Sequence, residues 1–242
     1  MQRIAIFAAL QWECVPALHC LKQVRRSRSG AFASWRATIG DFDVTVVKTG
    51  IGLTRAGEAA RQLAAEQFDL FLSSGCAGAL SSELCVGDLV VAESVRLDTG
   101  EISGASIEHR RQIFAAAQTA GLPVRSGHLL SSRVVVASAS QKRDAALLGV
   151  IAADMEGAAI ARAAADNGVP FASVRSILDA AETELDQSSG LVDPASGSIR
   201  PLAIATHLVR HPAALKQMLA MKKMMDTCRT SLDLFFAAYL KS

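Results

Sequence analysis

The chain has 242 residues, 50% of them hydrophobic, and its 25 lysines and arginines against 23 aspartates and glutamates give a net charge of +2. This combination excludes an intrinsically disordered chain, which needs low hydrophobicity and high net charge. The basic residues are scattered rather than gathered into a stripe, which argues against a nucleic acid partner. No apolar stretch reaches the ~18 residues needed to span a bilayer.

The length fits one large domain, and no linker rich in proline, glycine or serine divides it. We therefore expect a single domain over residues 1–242. The five cysteines are an odd number without a C-x-x-C pair, which disfavours a disulfide framework and a zinc site and favours a cytoplasmic protein with reduced thiols. The apolar run IAIFAAL is followed by Gln11, Trp12 and Glu13 instead of a cleavage site, so it is interpreted as a first buried strand.

Short β-branched segments alternate with alanine-rich segments of helical period, which is typical of an α/β domain around a largely parallel sheet. Strands are predicted at residues 3–9, 34–39, 44–48, 70–74, 88–95, 124–130, 150–153 and 171–178. Helices are predicted at residues 13–24, 55–67, 107–120, 139–148 and 156–167. Gly40 and Asp41 separate two alternating runs as a hairpin turn does, so part of the sheet should be antiparallel. The preceding VRRSRSG, with Arg25, Arg26 and Arg28, is interpreted as a solvated loop.

The C-terminal part of the chain differs from the rest. Residues 182–198 are polar and contain Pro194, which predicts a surface loop. From residue 199 onward the sequence is rich in methionine and leucine with interleaved basic residues, which predicts two helices broken at Pro212. The methionines at 218, 221, 224 and 225 fit core packing or an adaptable apolar surface around a greasy ligand or partner.

Three acidic residues follow predicted strands, where parallel α/β sheets bind their ligands. Glu13 follows the first strand, Glu156 lies in ADMEG, and Asp179 ends VRSILD. A buried carboxylate without a partner costs several kcal/mol, so packing does not explain these positions. They are the candidate functional residues, and for Glu156 and Asp179 a role at a helix N-terminus is the alternative.

Two glycine clusters are weaker signals. TGIGLTRAG follows a strand and opens a helix without the spacing of a dinucleotide fingerprint. SSGCAGAL follows another strand, where bare backbone can approach a ligand, although each cluster taken alone favours a tight strand-to-helix turn. His207 and His211 have metal-ligand spacing but no third ligand, so no metal site is expected.

Several motifs follow one another along the chain: Glu13, TGIG, SGCAGAL followed by VGDLVVAE, ADMEGAAIA and VRSILD. In this combination they resemble the nucleoside phosphorylase and nucleosidase superfamily, most closely the 5′-methylthioadenosine/S-adenosylhomocysteine nucleosidases. This resemblance covers residues 1–181 in order. SSRVVVASASQKRDA, the loop after Asp179 and the tail LVRHPAALKQML further resemble the hopanoid-associated phosphorylases, whose substrate would be adenosylhopane, an adenosine joined to a triterpenoid. The resemblance implies a three-layer α/β fold with a mixed, mainly parallel central sheet, a core over residues 1–181 and a helical extension over residues 199–242.

The resemblance also implies which residues would cleave an N-ribosidic bond. Asp179 matches the acid that hands a proton to purine N7, and Glu13 matches the glutamate that activates water. Glu156 and Met155 match the pair that flanks the ribose. The other matched substrate-binding positions are Val136 at the purine edge, Val135 in place of a stacking aromatic residue, and Cys76, Ala77 and Gly78 in the SGCAGA segment, where Cys76 replaces a serine.

The nucleophile distinguishes a hydrolase from a phosphorylase. Phosphorylases of this superfamily place an arginine where this chain has Ser73, and a phosphate dianion without a bidentate arginine is poorly held. The sequence therefore favours hydrolysis with no cofactor, although Arg55 or an arginine of a neighbouring subunit would allow phosphate as a co-substrate. Relatives form homo-oligomers, so we expect one here.

The expected activity is the release of adenine from an adenosine derivative, with a terpenoid substrate preferred and peripheral membrane contact through the C-terminal helices. Met221 and Phe235 are the residues expected to contact the greasy group. The alternatives are a 5′-methylthioadenosine/S-adenosylhomocysteine nucleosidase and a non-catalytic nucleoside-binding homologue. Three ionisable groups at one sugar argue against the latter, because binding alone does not need them.

Overall fold

The computed structural model describes residues 1–184 and 214–241, which form a ten-stranded sheet and six helices. The strands are β1 Gln2–Ala8, β2 Arg25–Ser29, β3 Phe32–Ile39, β4 Phe42–Lys48, β5 Leu70–Ala79, β6 Leu89–Leu97, β7 Ile102–Gly104, β8 Val124–Ser131, β9 Ala152–Asp154 and β10 Phe171–Asp179. The helices are α1 Gln11–His19, α2 Leu53–Ala64, α3 Ile107–Thr119, α4 Ala139–Ala146, α5 Gly157–Asp166 and α6 Ala214–Tyr239.

The sheet is mixed, as predicted, and its centre is parallel. Strands β4, β1, β5 and β10 pair in parallel, and β3 pairs antiparallel with β4 through the predicted hairpin. Strand β5 also pairs with β9, so the path β5, β10, β6, β8 and β9 returns to β5 and closes a ring. The carboxyl ends of the four parallel strands therefore meet at one edge of the sheet, where α/β proteins bind ligands.

Helices cover both faces of the sheet and create two apolar cores. Helices α2 and α5 pack on one face through apolar side chains such as Ala59, Leu63 and Ala164. Helices α1, α3 and α6 pack on the other face, where Ile113 and Phe235 are buried. The predicted three-layer α/β arrangement is confirmed.

Two local predictions are wrong. The segment with Arg25, Arg26 and Arg28 is not a loop but strand β2, which pairs antiparallel with β3 at the sheet edge. Its arginines stay exposed there, and charged side chains on an edge strand oppose pairing with another chain. SGCAGA is not a strand-to-helix turn either, because pairing with β10 and β9 continues β5 through this segment to Ala79.

The C-terminal helix α6 contributes to the core. Phe235 and Phe236 are fully buried beside Tyr239, whose ring stacks on that of Phe235 at a centroid distance of 5.5 Å. The expectation that Phe235 faces a greasy substrate is therefore wrong. The four methionines of α6 are half-buried, and no helix in the described part of the chain is long and apolar enough to cross a membrane.

Several predictions of the C-terminal region lie outside the described residues. These are most of the surface loop at 182–198 with Pro194, the first of the two predicted helices, the break at Pro212, and the pair His207 and His211.

Replacement of Phe235 by alanine should lower the free energy of unfolding by about 3–5 kcal/mol, because it opens a cavity in a closely packed core. Leu234 is the matched control, since it is the preceding residue and is 48% exposed. L234A should stay within about 0.5 kcal/mol of the wild type in urea unfolding. Equal effects of the two substitutions would show that α6 is not part of the core.

Candidate active site

The candidate site lies at the carboxyl ends of the central parallel strands. The TGIG segment follows β4, Glu13 lies on α1 just after β1, Cys76 and Gly78 lie on β5, and Asp179 ends β10. Glu156 reaches the same edge from the turn between β9 and α5. The three carboxylates singled out in the sequence therefore converge, as their positions after strands predicted.

Glu13 is held by backbone from two directions. Its Oε1 accepts a hydrogen bond from the amide of Cys76 at 2.9 Å, and its Oε2 accepts one from the amide of Leu10 at 2.9 Å. Burial raises the pKa of the Glu13 carboxyl, while these two hydrogen bonds and the charge of Arg175 oppose that rise. The result is a fixed, buried carboxylate that can take a proton.

Arg175 is the buried cation beside Glu13. This β10 residue is 2% exposed, and its Nε donates to Asp154 Oδ2 at 2.8 Å while its Nη2 donates to Ser73 Oγ at 2.7 Å. Asp154 also accepts a hydrogen bond from Ser131 Oγ. Although burial disfavours the charged guanidinium, the negative charge of Asp154 and the other carboxylates raises the pKa of Arg175, so the guanidinium stays charged.

Gly75 allows Glu13 and Arg175 to approach each other. A Cβ atom at this position would lie 2.8 Å from Glu13 Oε1 and 3.0 Å from Arg175 Nη1, and the φ of +146° also favours glycine. Bare backbone therefore separates the two charged groups. The glycine predicted to give a ligand access to the backbone instead gives access to two side chains of the protein itself.

Glu156 connects the TGIG segment to the site. Its Oε1 accepts a hydrogen bond from the amide of Gly52 at 2.8 Å, across 104 positions of sequence. Burial, reinforced by the charge of Asp154, raises the pKa of Glu156 to about 7. Near neutral pH this group therefore changes between a carboxyl and a carboxylate.

Asp179 lies on the other side of the site, against the backbone of β5. It is 2% exposed, and a Cβ atom on Gly78 would come within 3.2 Å of both of its carboxylate oxygens. Lys142 Nζ donates to Asp179 Oδ2 at 2.5 Å. Burial raises the pKa of Asp179, and the hydrogen bond and charge of Lys142 oppose the rise.

The remaining predicted residues lie on β5, beside Glu156, and between β8 and α4. Cys76 and Gly78 alternate with Ala77 along β5, so the Ala77 methyl group packs into the core on the opposite face and only its backbone is available to a substrate. Met155 is half-buried beside Glu156. Val135, 43% exposed, and Val136, which packs against a small cluster with Leu80, lie between β8 and α4.

Arg55, the residue that would supply positive charge to a phosphate co-substrate, contacts other parts of the protein in this structure. Its Nε donates to the carbonyl of Thr49 at 3.1 Å, and its guanidinium lies 5.8 Å from the centroid of the Phe32 ring. It lines a cavity of about 710 Å³ with Arg26, Arg28 and Lys48, next to strand β2. The cation beside Glu13 is Arg175 instead.

The sequence analysis missed Arg175, Asp154 and Lys142. The signal for the first two was present, because VRSILD and ADMEG each contain a second charged residue among apolar neighbours. The reasoning applied to Asp179 and Glu156 applies equally to these residues. Lys142 carries no such signal, since QKRDA has the composition of an exposed helix.

Fold and site together define an enzyme of the nucleosidase and nucleoside phosphorylase class. A family model described as "Phosphorylase superfamily" matches residues 3–195, and the chain belongs to this family. The chain is 27% identical over 245 aligned positions to a 5′-methylthioadenosine/S-adenosylhomocysteine nucleosidase of Treponema pallidum, covering 84% of this chain and 90% of the relative.

Solved structures share the fold. The nucleosidase of the same name from Neisseria meningitidis, in complex with methylthio-immucillin-A, has a TM-score of 0.78 at 19% identity and covers 100% of this chain and 99% of its own. Futalosine hydrolase of Helicobacter pylori has a TM-score of 0.73 at 19% identity and covers 97% of both chains.

Replacement of Arg175 by methionine should cost about 3–5 kcal/mol of stability, because it leaves Asp154 buried without its cation. Adding D154N to R175M should recover part of that loss, since the double variant no longer buries a lone charge. Arg125, whose side chain is 53% exposed in its pair with Glu83, is the control. Urea unfolding should show R125M close to the wild type, and a similarly small loss for R175M would contradict a buried ion pair.

Proposed function

We propose that this protein cleaves the N-ribosidic bond of an adenosine derivative and releases adenine. The observation that carries the proposal is the separation of the site into two parts. Asp179, paired with Lys142, lies on one side, and the group of Glu13, Glu156 and Arg175 lies on the other. Burial raises the pKa of all three carboxyl groups. Groups with different protonation tasks at one cleft are typical of acid and base catalysis.

The two parts of the site correspond to the two charges that develop as the N-ribosidic bond breaks. As the bond lengthens, the sugar becomes an oxocarbenium-like cation and the purine becomes electron-rich. Negative charge at Glu156, beside the sugar, stabilises the cation, and its carboxylate oxygens accept hydrogen bonds from ribose hydroxyls. Asp179 gives its proton to N7 of the leaving base, and Glu13 takes a proton from the attacking water.

Water is the nucleophile that the charges of the site favour. Three carboxylates, of Glu13, Asp154 and Glu156, surround one guanidinium, and Asp154 and Ser73 already occupy Nε and Nη2 of Arg175. A phosphate dianion entering there meets like charge without a free bidentate donor. A neutral water meets a carboxylate that can accept its proton.

We propose two candidates for the group at the 5′ position of the ribose. The relatives are named for small thioether nucleosides, which fit a site built from the α/β core. One observation favours a terpenoid as the second candidate. Met224 and Met225 precede Cys228 by one helical turn and share its side of α6, and the Cys228 thiol donates to the carbonyl of Ile177 at 3.0 Å, close to the end of β10.

Loss of the acid or the base should stop the reaction without unfolding the protein. We expect D179N and E13Q each to lower adenine release by at least ~10²-fold, the usual scale for a general acid or base. E58Q, on an exposed part of α2, should keep wild-type turnover. Circular dichroism would verify folding, and near-normal rates from folded D179N or E13Q would remove that residue from the mechanism.

A panel of 5′-substituted adenosines, each assayed with and without phosphate, tests the overall proposal. Adenine and the free sugar should appear at rates that phosphate does not raise. A ribose 1-phosphate product whose formation rises with phosphate would overturn hydrolysis. Tight binding of the panel without any turnover would instead identify a non-catalytic nucleoside-binding protein. The rates with methylthio and terpenoid-like substituents decide between the two substrate candidates.

A further inference from the structure

Lys142 is an unusual residue for its position in the fold. It lies on α4 and is 1% exposed, whereas every other lysine whose side chain the structure describes lies at least partly in solvent. Its Nζ donates to Asp179 Oδ2 at 2.5 Å, to the carbonyl of Ala180 at 2.7 Å and to the carbonyl of Thr183 at 2.8 Å. All three protons of a charged ammonium are therefore used.

Packing does not explain this lysine. Burial of an ammonium group is costly even when it is paired, and an apolar side chain of similar length would fill the same space at lower cost. Lys142 is held in place, because a capping box at the start of α4 fixes the helix. The side chain of Ser138 accepts a hydrogen bond from the Gln141 amide, and the side chain of Gln141 accepts one from the Ser138 amide.

Among the residues that the structure describes, Asp179 is the carboxylate with which Lys142 forms an ion pair. Lys142 faces the Asp179 carboxylate from α4, and from β5 the carboxylate meets the backbone of Gly78, which brings no charge. Arg175 lies on the same strand but is paired with Asp154. A proton donor that gives up its proton inside the protein leaves a buried carboxylate behind, and the ammonium of Lys142 is the group placed to compensate that charge.

We propose that Lys142 is the positioning residue of the proton donor. Its ammonium holds Oδ2 of Asp179, so that Oδ1 is left to carry the proton to the leaving base, and it stabilises the carboxylate that remains after the transfer. The proton moves from Asp179 to the purine nitrogen, and Lys142 keeps all of its own protons. This inference rests on the proposed function, because it assigns Asp179 the role of acid.

A titration that needs no substrate tests the proposal first. The carboxyl carbon of Asp179, assigned by its loss in D179N, is followed by ¹³C NMR against pH in the wild type and in K142M. Without the ammonium, the pKa of Asp179 should rise by at least ~1 unit, the lower end of the effect of an adjacent opposite charge. R143M removes a charge from the next residue, which is exposed on the same helix, and should leave the titration unchanged.

The rate profile tests the catalytic consequence. The loss of activity at alkaline pH, where Asp179 gives up its proton, should move upward by the same interval in K142M, and kcat should fall at least ~10-fold because the remaining carboxylate is no longer compensated. KM should change less than kcat. In the D179N background, K142M should cause no further loss, since Lys142 acts through Asp179.

The outcomes separate the two proposals. An unchanged Asp179 titration in K142M overturns the role of Lys142, whatever the activity. A shifted Asp179 titration in K142M, together with a wild-type protein that releases no purine, would confirm that Lys142 acts on Asp179 and would overturn the proposed function instead. If K142M does not fold, K142R serves as the second variant, since it keeps the charge. Folded K142R should retain the wild-type alkaline limit, and a K142R profile that moves upward would contradict the proposal.

Discussion

The arrangement of the site depends on one buried ion pair, between Arg175 on β10 and Asp154 on β9. These strands are not neighbours, and β5 runs between them in the sheet. The guanidinium reaches across β5 beside Gly75 and also binds Ser73, so that three strands are joined through one charged side chain. The pair joins β10, which ends at Asp179, and β9, which precedes Glu156, to β5, whose Cys76 amide binds Glu13.

Two buried cations divide the tasks of the site. Arg175 lies among the carboxylates on the proposed sugar side, and its positive charge offsets part of their negative charge in the protein interior. Lys142 pairs with Asp179 on the proposed base side. Without such a division, neighbouring carboxylates at one cleft would share protons, and neither a dedicated acid nor a dedicated base would persist. Burial raises the pKa of Asp179, and Lys142 favours the carboxylate that the proposed proton transfer leaves behind.

The sequence predicted the three acids because their signal is local. A carboxylate after an apolar strand is recognisable from a few residues, and parallel strands end at a common edge, so Glu13, Glu156 and Asp179 could be placed together before the fold was known. Arg175 and Lys142 could not, because their partners are set by tertiary contacts. Lys142 meets Asp179 across 37 positions, and Arg175 meets Ser73 across 102. The closed ring of strands that creates these contacts has no periodic signature. For β2, the pairing with β3 outweighed the composition of a loop.

The C-terminal helix has two parts with different physical roles. From Cys228 onward its inner face is buried with α1 and α3, so this part is as much core as any strand. The preceding turns carry the half-buried methionines and end where Cys228 contacts the backbone of Ile177, two residues before Asp179. A change in these turns can therefore reach Asp179, the proposed acid, through the backbone of β10 as well as through direct contact with a substrate. Selectivity between substrates distinguishes the two routes, because a displaced acid slows every nucleoside alike, whereas a lost apolar contact slows only those with a large 5′ group.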